Sequence, residues 1–348
     1  MNKRIVFTGG GSAGHVTPNM ALFPQLLSEG YEIHYIGTAD GIEKKLMADK
    51  DYIIYHEISA GKLRRYFSLK TLATPFKVLK GIGEARRIIR KIDPDVVFSK
   101  GGYVSVPVVT HESDYTPGLA NKINSRFADK ICVTFEDTLK FTGEKGVHTG
   151  TPIRPELYKG DKQRGLDFLG FNGEKPVLMI MGGSLGAAAI NSAVRAALPK
   201  LERTFDIVHI CGAGKAEKEL DSASYKQYEF ISNELSDVFA ATDVVVSRAG
   251  ANAVFEFLAL CKPMLLIPLP LSASRGDQIQ NAGYFSRKGY AMVLEQEQLN
   301  ENTLLDSVND LYDRRLSFIA TMSADAKADG TDEVLDVIRA EAAKRSKK

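Results

Sequence analysis

Three apolar runs in this chain each lead into a glycine-rich loop and then into a helical pattern, and this repeated unit constrains the fold more than any other feature. The loops are "TGGGSAGH" (8–15), "MGGSLGAAAIN" (181–191) and "SRAGANAVFE" (247–256). Dense glycine lets a backbone approach a ligand closely, and a helix that begins just after such a loop directs its N-terminus at an anion. The pattern predicts strand–loop–helix units with phosphate-type ligands at the loops.

Short apolar runs alternate with helical patterns along the rest of the chain, which is typical of parallel sheets covered on both faces. We predict two doubly wound α/β domains, because 348 residues are many for one core. The boundary falls in the Gly-, Pro- and charge-rich segment 150–175, which gives domains 1–152 and 153–348, with the last helix a candidate to return to the first domain. Strands are predicted at 4–8, 32–37, 52–58, 95–99, 130–135, 176–181, 206–211, 228–232, 243–247, 263–268 and 291–295.

Composition excludes several classes of protein. The net charge is only +2, so nothing indicates a nucleic-acid partner. The three cysteines are scattered without metal-ligand spacing, and no apolar run reaches the length of a transmembrane helix. We therefore expect a cytoplasmic protein, or one that sits on a membrane from its cytoplasmic side.

The first glycine loop taken alone leaves a dinucleotide-binding protein open. Gly9, Gly11 and Gly14 satisfy G-x-G-x-x-G, and Asp40 lies past the second strand, where an acid that binds ribose is expected. Many α/β loops match this pattern, so the second half of the chain must decide.

The second half carries polar residues suited to a nucleotide sugar. Ser184 is placed to hydrogen-bond a phosphate, and the helix that begins near Ala251 presents free N–H groups to an anion. Glu256 can accept both hydroxyls of a ribose, although a solvated helix position is an equally good interpretation. Gln278 can read sugar hydroxyls, and Arg154 can reach a diphosphate or pair with an acid.

These motifs in this order identify a family. "GGGSAGHVTP", "GGYVSVP", "HESDYTPGLANK", "GTPIR", "GGSLGA", "SRAGANAVFE" and "GDQIQNA" together closely resemble the MurG family of bacterial peptidoglycan glycosyltransferases, which convert lipid I to lipid II. The resemblance runs nearly end to end. It implies the GT-B fold, in which two Rossmann-like domains face each other across a cleft.

The resemblance also implies two substrates. The donor UDP-N-acetylglucosamine would bind mainly the C-terminal domain, and the acceptor, undecaprenyl-pyrophosphoryl-N-acetylmuramoyl-pentapeptide (lipid I), mainly the N-terminal domain. The implied donor contacts are Arg154, Ser184, Ile231, Arg248, Ala251, Asn252, Ala253, Val254, Phe255, Glu256 and Gln278. The implied acceptor and cleft residues are Gly11, Ser12, Ala13, Gly14, Tyr103 and Asn121.

His15 is the candidate general base for the muramoyl 4-hydroxyl, since its unperturbed pKa suits neutral pH. A role limited to the loop or to a phosphate is equally open for it, and Glu112 is a rival base or an orienter. The reaction would be inverting, with the charge that develops on UDP stabilised by the start of the third loop's helix, Ser184 and Arg154. No DxD-like carboxylate pair occurs in the donor region, so we expect no metal held by the protein and no required cofactor.

A basic stretch predicts contact with an anionic membrane surface. Residues 63–91 hold nine Lys or Arg residues and one acid, and Leu69, Leu72, Phe76 and Leu79 recur at helical spacing. An exposed stripe of this kind would anchor the protein peripherally to the cytoplasmic face of the plasma membrane. An amphipathic helix packed on the sheet is the common alternative.

One place departs from the family pattern. Thr110 follows Gly101 by only nine positions, whereas a parallel crossover needs a dozen or more residues. The resemblance implies that a helix and a strand, roughly a dozen residues, are missing near 109–110. Besides an active transferase, this leaves a UDP-N-acetylglucosamine 2-epimerase and a catalytically dead donor-binding protein as alternatives.

Overall fold

The structure is a computed structural model that describes residues 3–59, 74–101, 109–183, 186–325 and 328–345, with side chains in 74–79 excepted. The chain divides into two compact units, one of residues 1–152 and 329–348 and the other of residues 153–328. Each unit is built around its own parallel sheet. No helix in the described ranges is long and apolar enough to cross a membrane.

The first unit contains a seven-stranded sheet with the order β3-β2-β1-β4-β5-β6-β7. Its strands are β1 (Lys3–Thr8), β2 (Tyr31–Gly37), β3 (Ile53–Glu57), β4 (Val96–Ser99), β5 (Val109–Glu112), β6 (Lys130–Val133) and β7 (Gly146–His148). Its helices are α1 (Thr17–Ser28), α2 (Ile42–Met47), α3 (Thr74–Ile92), α4 (Leu119–Asn124) and, from the end of the chain, α12 (Thr331–Arg345). The order reverses direction at β1, whose neighbours are β2 and β4.

Helix α12 is part of the first unit's core. Val334, Leu335 and Ile338 are fully buried in one cluster with Phe7 of β1 and Phe98 of β4. Burying three such side chains, at about 1.5–3 kcal/mol each, favours this packing by roughly 5–9 kcal/mol. The first unit is therefore completed by the last helix of the chain.

The second unit contains a six-stranded sheet with the order β10-β9-β8-β11-β12-β13. Its strands are β8 (Val177–Met181), β9 (Asp206–Ile210), β10 (Tyr225–Tyr228), β11 (Val244–Ser247), β12 (Met264–Leu266) and β13 (Ala291–Val293). Its helices are α5 (Lys162–Leu169), α6 (Ala188–Leu201), α7 (Leu235–Ala241), α8 (Ala251–Ala259), α9 (Asp277–Arg287), α10 (Glu301–Asp313) and α11 (Arg315–Ser323). The predicted pair of doubly wound α/β domains is confirmed.

The prediction that a strand is missing near residue 110 is wrong. Val109–Glu112 form β5, which pairs in parallel with β4 and with β6. Its polar residues Thr110, His111 and Glu112 are all buried, so the strand does not show as a continuous apolar run. Only residues 100–108 join β4 to β5, which is shorter than the dozen or so residues that a helical crossover needs.

The strand predicted at 228–232 is also misplaced. The observed strand is Tyr225–Tyr228, which pairs with β9 as far as Ile210, the last residue of that strand. β10 lies at the edge of the sheet, where Tyr225 and Gln227 are buried and the alternate residues are half-buried. An edge strand alternates in this way, and a search for continuous apolar runs misses it.

Candidate functional site

In the first unit the glycine loop lies where the strand order reverses. The loop 9–15 follows β1, and Lys100 follows the neighbouring strand β4 with its backbone N–H donating to Thr8 O at 3.1 Å. Ligands of open α/β sheets bind at this reversal, outside the carboxyl ends of the strands. Gly9 is required there, because a Cβ atom on it would lie 2.4 Å from the carbonyl oxygen of His15.

His15 ends the loop, in a short 3-10 helix over Ala13–His15. Its Nδ1 lies 3.1 Å from Gly10 O, and since a carbonyl only accepts, Nδ1 must carry the proton. Nε2 is then the atom with the free lone pair, and no partner for it is found within the described residues. Burial lowers the pKa of His15 below its usual value, with Lys100 contributing in the same direction and Gly10 and Asp114 opposing it. The ring is therefore a neutral proton acceptor at physiological pH.

Sequence reasoning did not single out Glu43, whose carboxylate supports the loop. Thr38 donates to Oε1 from its backbone N–H at 3.0 Å and from its hydroxyl at 2.8 Å, and Gly11 N lies 3.4 Å from Oε2. A Cβ on Gly10 would lie 2.8 Å from the carboxyl carbon of Glu43, so a larger residue there would displace this carboxylate. A buried acid in α2 gives no sign in the sequence that it faces a loop thirty residues earlier.

Glu112 and Asn121 lie together in a buried network at the end of β5. The Glu112 carboxylate accepts from Asp114 N at 3.0 Å, Gly118 N at 3.0 Å and Asn121 Nδ2 at 2.8 Å. Burial raises the pKa of Glu112 to about 7, with Asp114 adding to the rise and these hydrogen bonds opposing it. Both carboxylate oxygens are thus occupied in holding residues 113–118, which suits the orienting role better than the role of a base.

Lys100 and His111 form a second buried pair that the sequence did not single out. Lys100 Nζ lies 2.8 Å from His111 Nδ1, and His111 Nε2 lies 2.9 Å from Gly150 O. The available signal was a charged residue directly after a buried strand at the carboxyl edge, in "VVFSKGG".

In the second unit, the candidate donor residues follow different strands but reach the same edge of the sheet. Because every strand pairs in parallel, all carboxyl ends lie at one edge. Of these candidates, Ile231 lies after β10, Arg248 directly after β11 and Gln278 after β12, while the second glycine loop, which includes Gly186, follows β8. Gly186 has φ +66°, and a Cβ atom there would lie 1.9 Å from Cys211 O, so only glycine lets this loop pass the end of β9.

Helix α8 begins at Ala251, as predicted, and contains the candidate contacts Ala251, Asn252, Ala253, Val254, Phe255 and Glu256. Arg154 Nε and Nη2 both donate to Glu256 Oε1, at 3.1 and 3.0 Å. The Glu256 side chain is only 15% exposed, so the interpretation as a solvated helix residue is wrong. Burial raises the pKa of Glu256, and Arg154 opposes that rise. No partner for Oε2 is found in the described part of the chain.

Arg248 and Gln278 hold the loop after β12. Arg248 donates from Nη1 to Ile267 O at 3.0 Å and to Pro268 O at 3.2 Å, and from Nη2 to Gln296 Oε1 at 2.6 Å. Gln278 Oε1 accepts from Leu269 N at 3.0 Å. The Arg248 side chain is directed to these carbonyl groups, so any contact with a diphosphate would need its rearrangement.

Several predicted residues lie outside the described parts of the chain. Ser184 and Tyr103 fall in the gaps at 184–185 and 102–108, and Leu69 and Leu72 in the gap at 60–73. Phe76 and Leu79 belong to α3, in the part whose side chains are not described. Within the described ranges, no group of three or more His, Cys, Asp or Glu side chains is arranged to hold a metal ion.

Two doubly wound α/β units with glycine loops at the carboxyl edges of their sheets are the architecture expected of a GT-B glycosyltransferase. Residues 5–133 match the glycosyltransferase family 28 N-terminal domain, and residues 177–337 match the family's C-terminal domain. The chain belongs to glycosyltransferase family 28 and is of the MurG type, as its motifs predicted.

The chain is similar to curated bacterial enzymes over nearly its full length. The UDP-N-acetylglucosamine–N-acetylmuramyl-(pentapeptide) pyrophosphoryl-undecaprenol N-acetylglucosamine transferase of Clostridium tetani is 51% identical, over 97% of this chain and 98% of that enzyme. The enzyme of the same name from Lachnospira eligens is 52% identical, over 97% and 99%. These relatives give no support to a dinucleotide-binding protein or to an epimerase.

Solved structures agree on the fold. MurG of Acinetobacter baumannii has a TM-score of 0.75 at 25% identity, over 97% of this chain and 99% of that one. The glycotransferase of kitacinnamycin has a TM-score of 0.73 at 14% identity, over 98% and 99%, and at that identity supports the fold alone.

Proposed function

We propose that this protein transfers N-acetylglucosamine from UDP-N-acetylglucosamine to the 4-hydroxyl of the N-acetylmuramoyl residue of a pentapeptide-bearing undecaprenyl-diphosphate acceptor. The observation that carries the proposal is identity above 50% over 97% of the chain to enzymes named for this transfer. The polar residues at the carboxyl edges of the two sheets supply the groups that this transfer reaction needs.

The reaction needs a base on one substrate and charge stabilisation on the other. The acceptor hydroxyl attacks the anomeric carbon while its proton passes to Nε2 of His15, and the bond from that carbon to the diphosphate oxygen breaks. UDP leaves with the bonding electron pair, so negative charge develops beside the N-terminus of α8 and Arg154. Attack from the face opposite the leaving group inverts the configuration at the anomeric carbon.

The short β4–β5 connection makes the acceptor half the critical part to test. We expect labelled N-acetylglucosamine to move from the UDP-sugar to a short-chain lipid I analogue, and UDP alone to bind by calorimetry. Binding of UDP without transfer would overturn the proposal in favour of a catalytically dead donor-binding protein. Alteration of the UDP-sugar with no acceptor present would instead identify an epimerase.

A membrane surface is the second partner we propose, and α4 supports it. Leu119 and Ile123 of α4 and Phe127 of the turn that follows it are 63%, 53% and 60% exposed and recur every four residues; we name these three residues the α4 stripe. Exposed Lys122 and Arg126 flank them. The segment before α4 is bound to Glu112 through Gly118 N, so the stripe begins beside the candidate acceptor site.

A lipid-linked acceptor explains why the α4 stripe would contact a membrane. The polyprenyl chain stays in the bilayer while the sugar reaches the enzyme, so apolar residues near the acceptor site are positioned to enter the interface. Lys145, whose Nζ donates to Ser125 O at 3.3 Å, is a third cation beside this segment, and Asp129 and Glu144 are the exposed acids. The excess of basic residues suits an anionic leaflet.

Replacing the α4 stripe by serine is expected to weaken binding to anionic vesicles by roughly tenfold to a hundredfold, since three apolar side chains no longer enter the interface. The variant is L119S/I123S/F127S, and flotation with phosphatidylglycerol-containing vesicles measures the binding. The control is L220S/L316S in the second unit, where both leucines are also exposed, at 36% and 69%. Equal binding by the two variants would rule out the stripe as the membrane contact.

A further inference from the structure

A polar cavity of the first unit lies between α3 and the sheet, away from the glycine loop. Its volume is about 570 Å³, which is within the usual range of small-molecule sites. The lining includes six polar side chains, Arg4, Glu32, His34, His56, Arg87 and Lys91, and we name it the β2–α3 cavity. Arg4 and Glu32 are the second residues of β1 and β2. The cavity therefore lies near the amino ends of these strands, whereas the glycine loop follows the carboxyl end of β1.

The strand register places polar residues on a face of the sheet that is otherwise apolar. Arg4 pairs with Glu32, and because alternate residues of a strand share a face, His34 lies on the same face as Glu32. Val6 and Ile36 continue this face, and both are buried in a cluster with side chains of α3. A sheet face covered by a helix is normally apolar. Hydrophobic packing therefore does not account for the polar half of this face.

The two histidines of the cavity form a hydrogen-bonded pair held by Glu32. His34 Nε2 lies 2.8 Å from Glu32 Oε1 and donates to it, since a carboxylate only accepts. His34 Nδ1 lies 3.0 Å from His56 Nε2, so one of these two nitrogens donates to the other. Burial lowers the pKa of His56, and His34 and Lys91 lower it further. The histidines therefore provide hydrogen-bonding groups, and the positive charge of the cavity comes from its arginines and lysine.

Three cations and one acid line the cavity. Arg4 Nη1 donates to the last carbonyl of α3 at 2.6 Å, and its Nε lies 3.9 Å from Glu32 Oε1. Asp95, outside the lining, accepts from the backbone N–H of Arg4 at 2.7 Å. Arg87 and Lys91 lie one helical turn apart and are exposed, and no hydrogen bond or ion pair of either is found in the described ranges. The cavity thus keeps an excess of positive charge.

We propose that the β2–α3 cavity is a binding site for the phosphate group of a soluble small molecule. A phosphate dianion supplies the negative charge that Glu32 alone does not, and the guanidinium of Arg87 and the ammonium of Lys91 are usual protein partners of phosphate. The site lies at the amino edge of the sheet, whereas the α4 stripe follows the carboxyl end of β5. This separation favours a soluble ligand over the headgroup of a membrane lipid. The site adds to the proposed function and does not depend on it.

Inorganic phosphate is the probe for this site. The full chain is labelled on histidine and titrated with phosphate by NMR, with the His56 signal assigned by its loss in H56N and the His15 signal by its loss in H15N. We expect a saturable shift of the His56 signal, which reports on the cavity. The His15 signal reports on the glycine loop, so a midpoint that differs between the two signals separates the cavity from that loop.

Two double variants of α3 locate the binding. R87Q/K91Q is expected to weaken phosphate binding about 10–100-fold, because each substitution removes a charge-assisted hydrogen bond to the ligand. R86Q/R90Q is the matched control, since it removes two exposed cations of the same helix that do not line the cavity. All four side chains are exposed, so neither variant disturbs the core of the unit.

The variant E32Q tests the sign of the effect. Its amide oxygen can still accept from His34 Nε2, but the negative charge that opposes a bound anion is gone. Phosphate is therefore expected to bind several-fold more tightly to E32Q than to wild type. Weaker binding by E32Q would contradict the proposal.

The remaining outcomes are as distinct. Equal weakening in the two double variants would show a general effect of surface charge and overturn the proposal, as would a His56 signal that phosphate does not move. Flotation with phosphatidylglycerol-containing vesicles tests the other source of a phosphate group. Equal flotation of R87Q/K91Q and R86Q/R90Q supports a soluble ligand. A larger loss in R87Q/K91Q would assign the cavity to a lipid headgroup and overturn the proposal.

Discussion

The variant H15A is expected to lose transfer by about 10²–10⁴-fold, the usual contribution of a general base, while its affinity for UDP stays that of wild type. The physical reason is the tautomer. Nδ1 is bound to Gly10 O, so Nε2 is the lone-pair atom, and alanine offers no proton acceptor at that place. Transfer kinetics with a lipid I analogue and calorimetry with UDP measure the two quantities on the same preparations.

A second substitution distinguishes the base from a residue that only supports the loop. In H15N the amide nitrogen can donate to Gly10 O in place of Nδ1, but asparagine accepts no proton at neutral pH. If His15 is the base, H15N is as inactive as H15A. If asparagine restores most of the activity, the ring serves the loop structure alone and the base must be sought elsewhere.

The alternation of apolar runs and helices was enough to predict the fold, because parallel strands buried on both faces are continuous apolar segments. β8 and β11 are such strands, and both were found within one residue of their observed bounds. The sequence did not predict β5 or the bounds of β10. β5 buries three polar residues in a hydrogen-bonded network, and β10 is an edge strand with one half-buried face. The pattern of apolar residues predicts a strand only where the buried side chains are the apolar ones.

Some residues of the candidate site could likewise be predicted from the sequence, and others could not. Glycine loops and the residues next to them could be predicted, because close approach of backbone requires glycine at positions such as Gly9 and Gly186. Glu43 and the Lys100–His111 pair could not, since their roles come from contacts between segments that are distant in sequence. The partner of a buried charged residue can be identified only when the pairing and register of the surrounding strands are known.

The variant E256Q is expected to bind UDP about 10–100-fold more weakly than wild type, because hydrogen bonds to a charged group contribute about 1.5–3 kcal/mol. Both Arg154 nitrogens donate to Oε1 of Glu256, so Oε2 is the oxygen that would accept from the ribose hydroxyls in the proposed role of this residue. The amide keeps the size of the side chain but not its charge. The control is E301Q on α10, an exposed glutamate of the same unit that pairs with Lys200.

The decisive comparison is between UDP and 2′-deoxy-UDP on both proteins. If Glu256 binds the ribose, the deoxynucleotide has already lost one partner hydroxyl, so the substitution costs it clearly less affinity than it costs UDP. A loss of the same size for both ligands would mean that Glu256 acts only through Arg154. Tighter binding of both by E256Q would mean that the ion pair competes with the nucleotide for the Arg154 guanidinium, which an uncharged partner at residue 256 would release for the diphosphate.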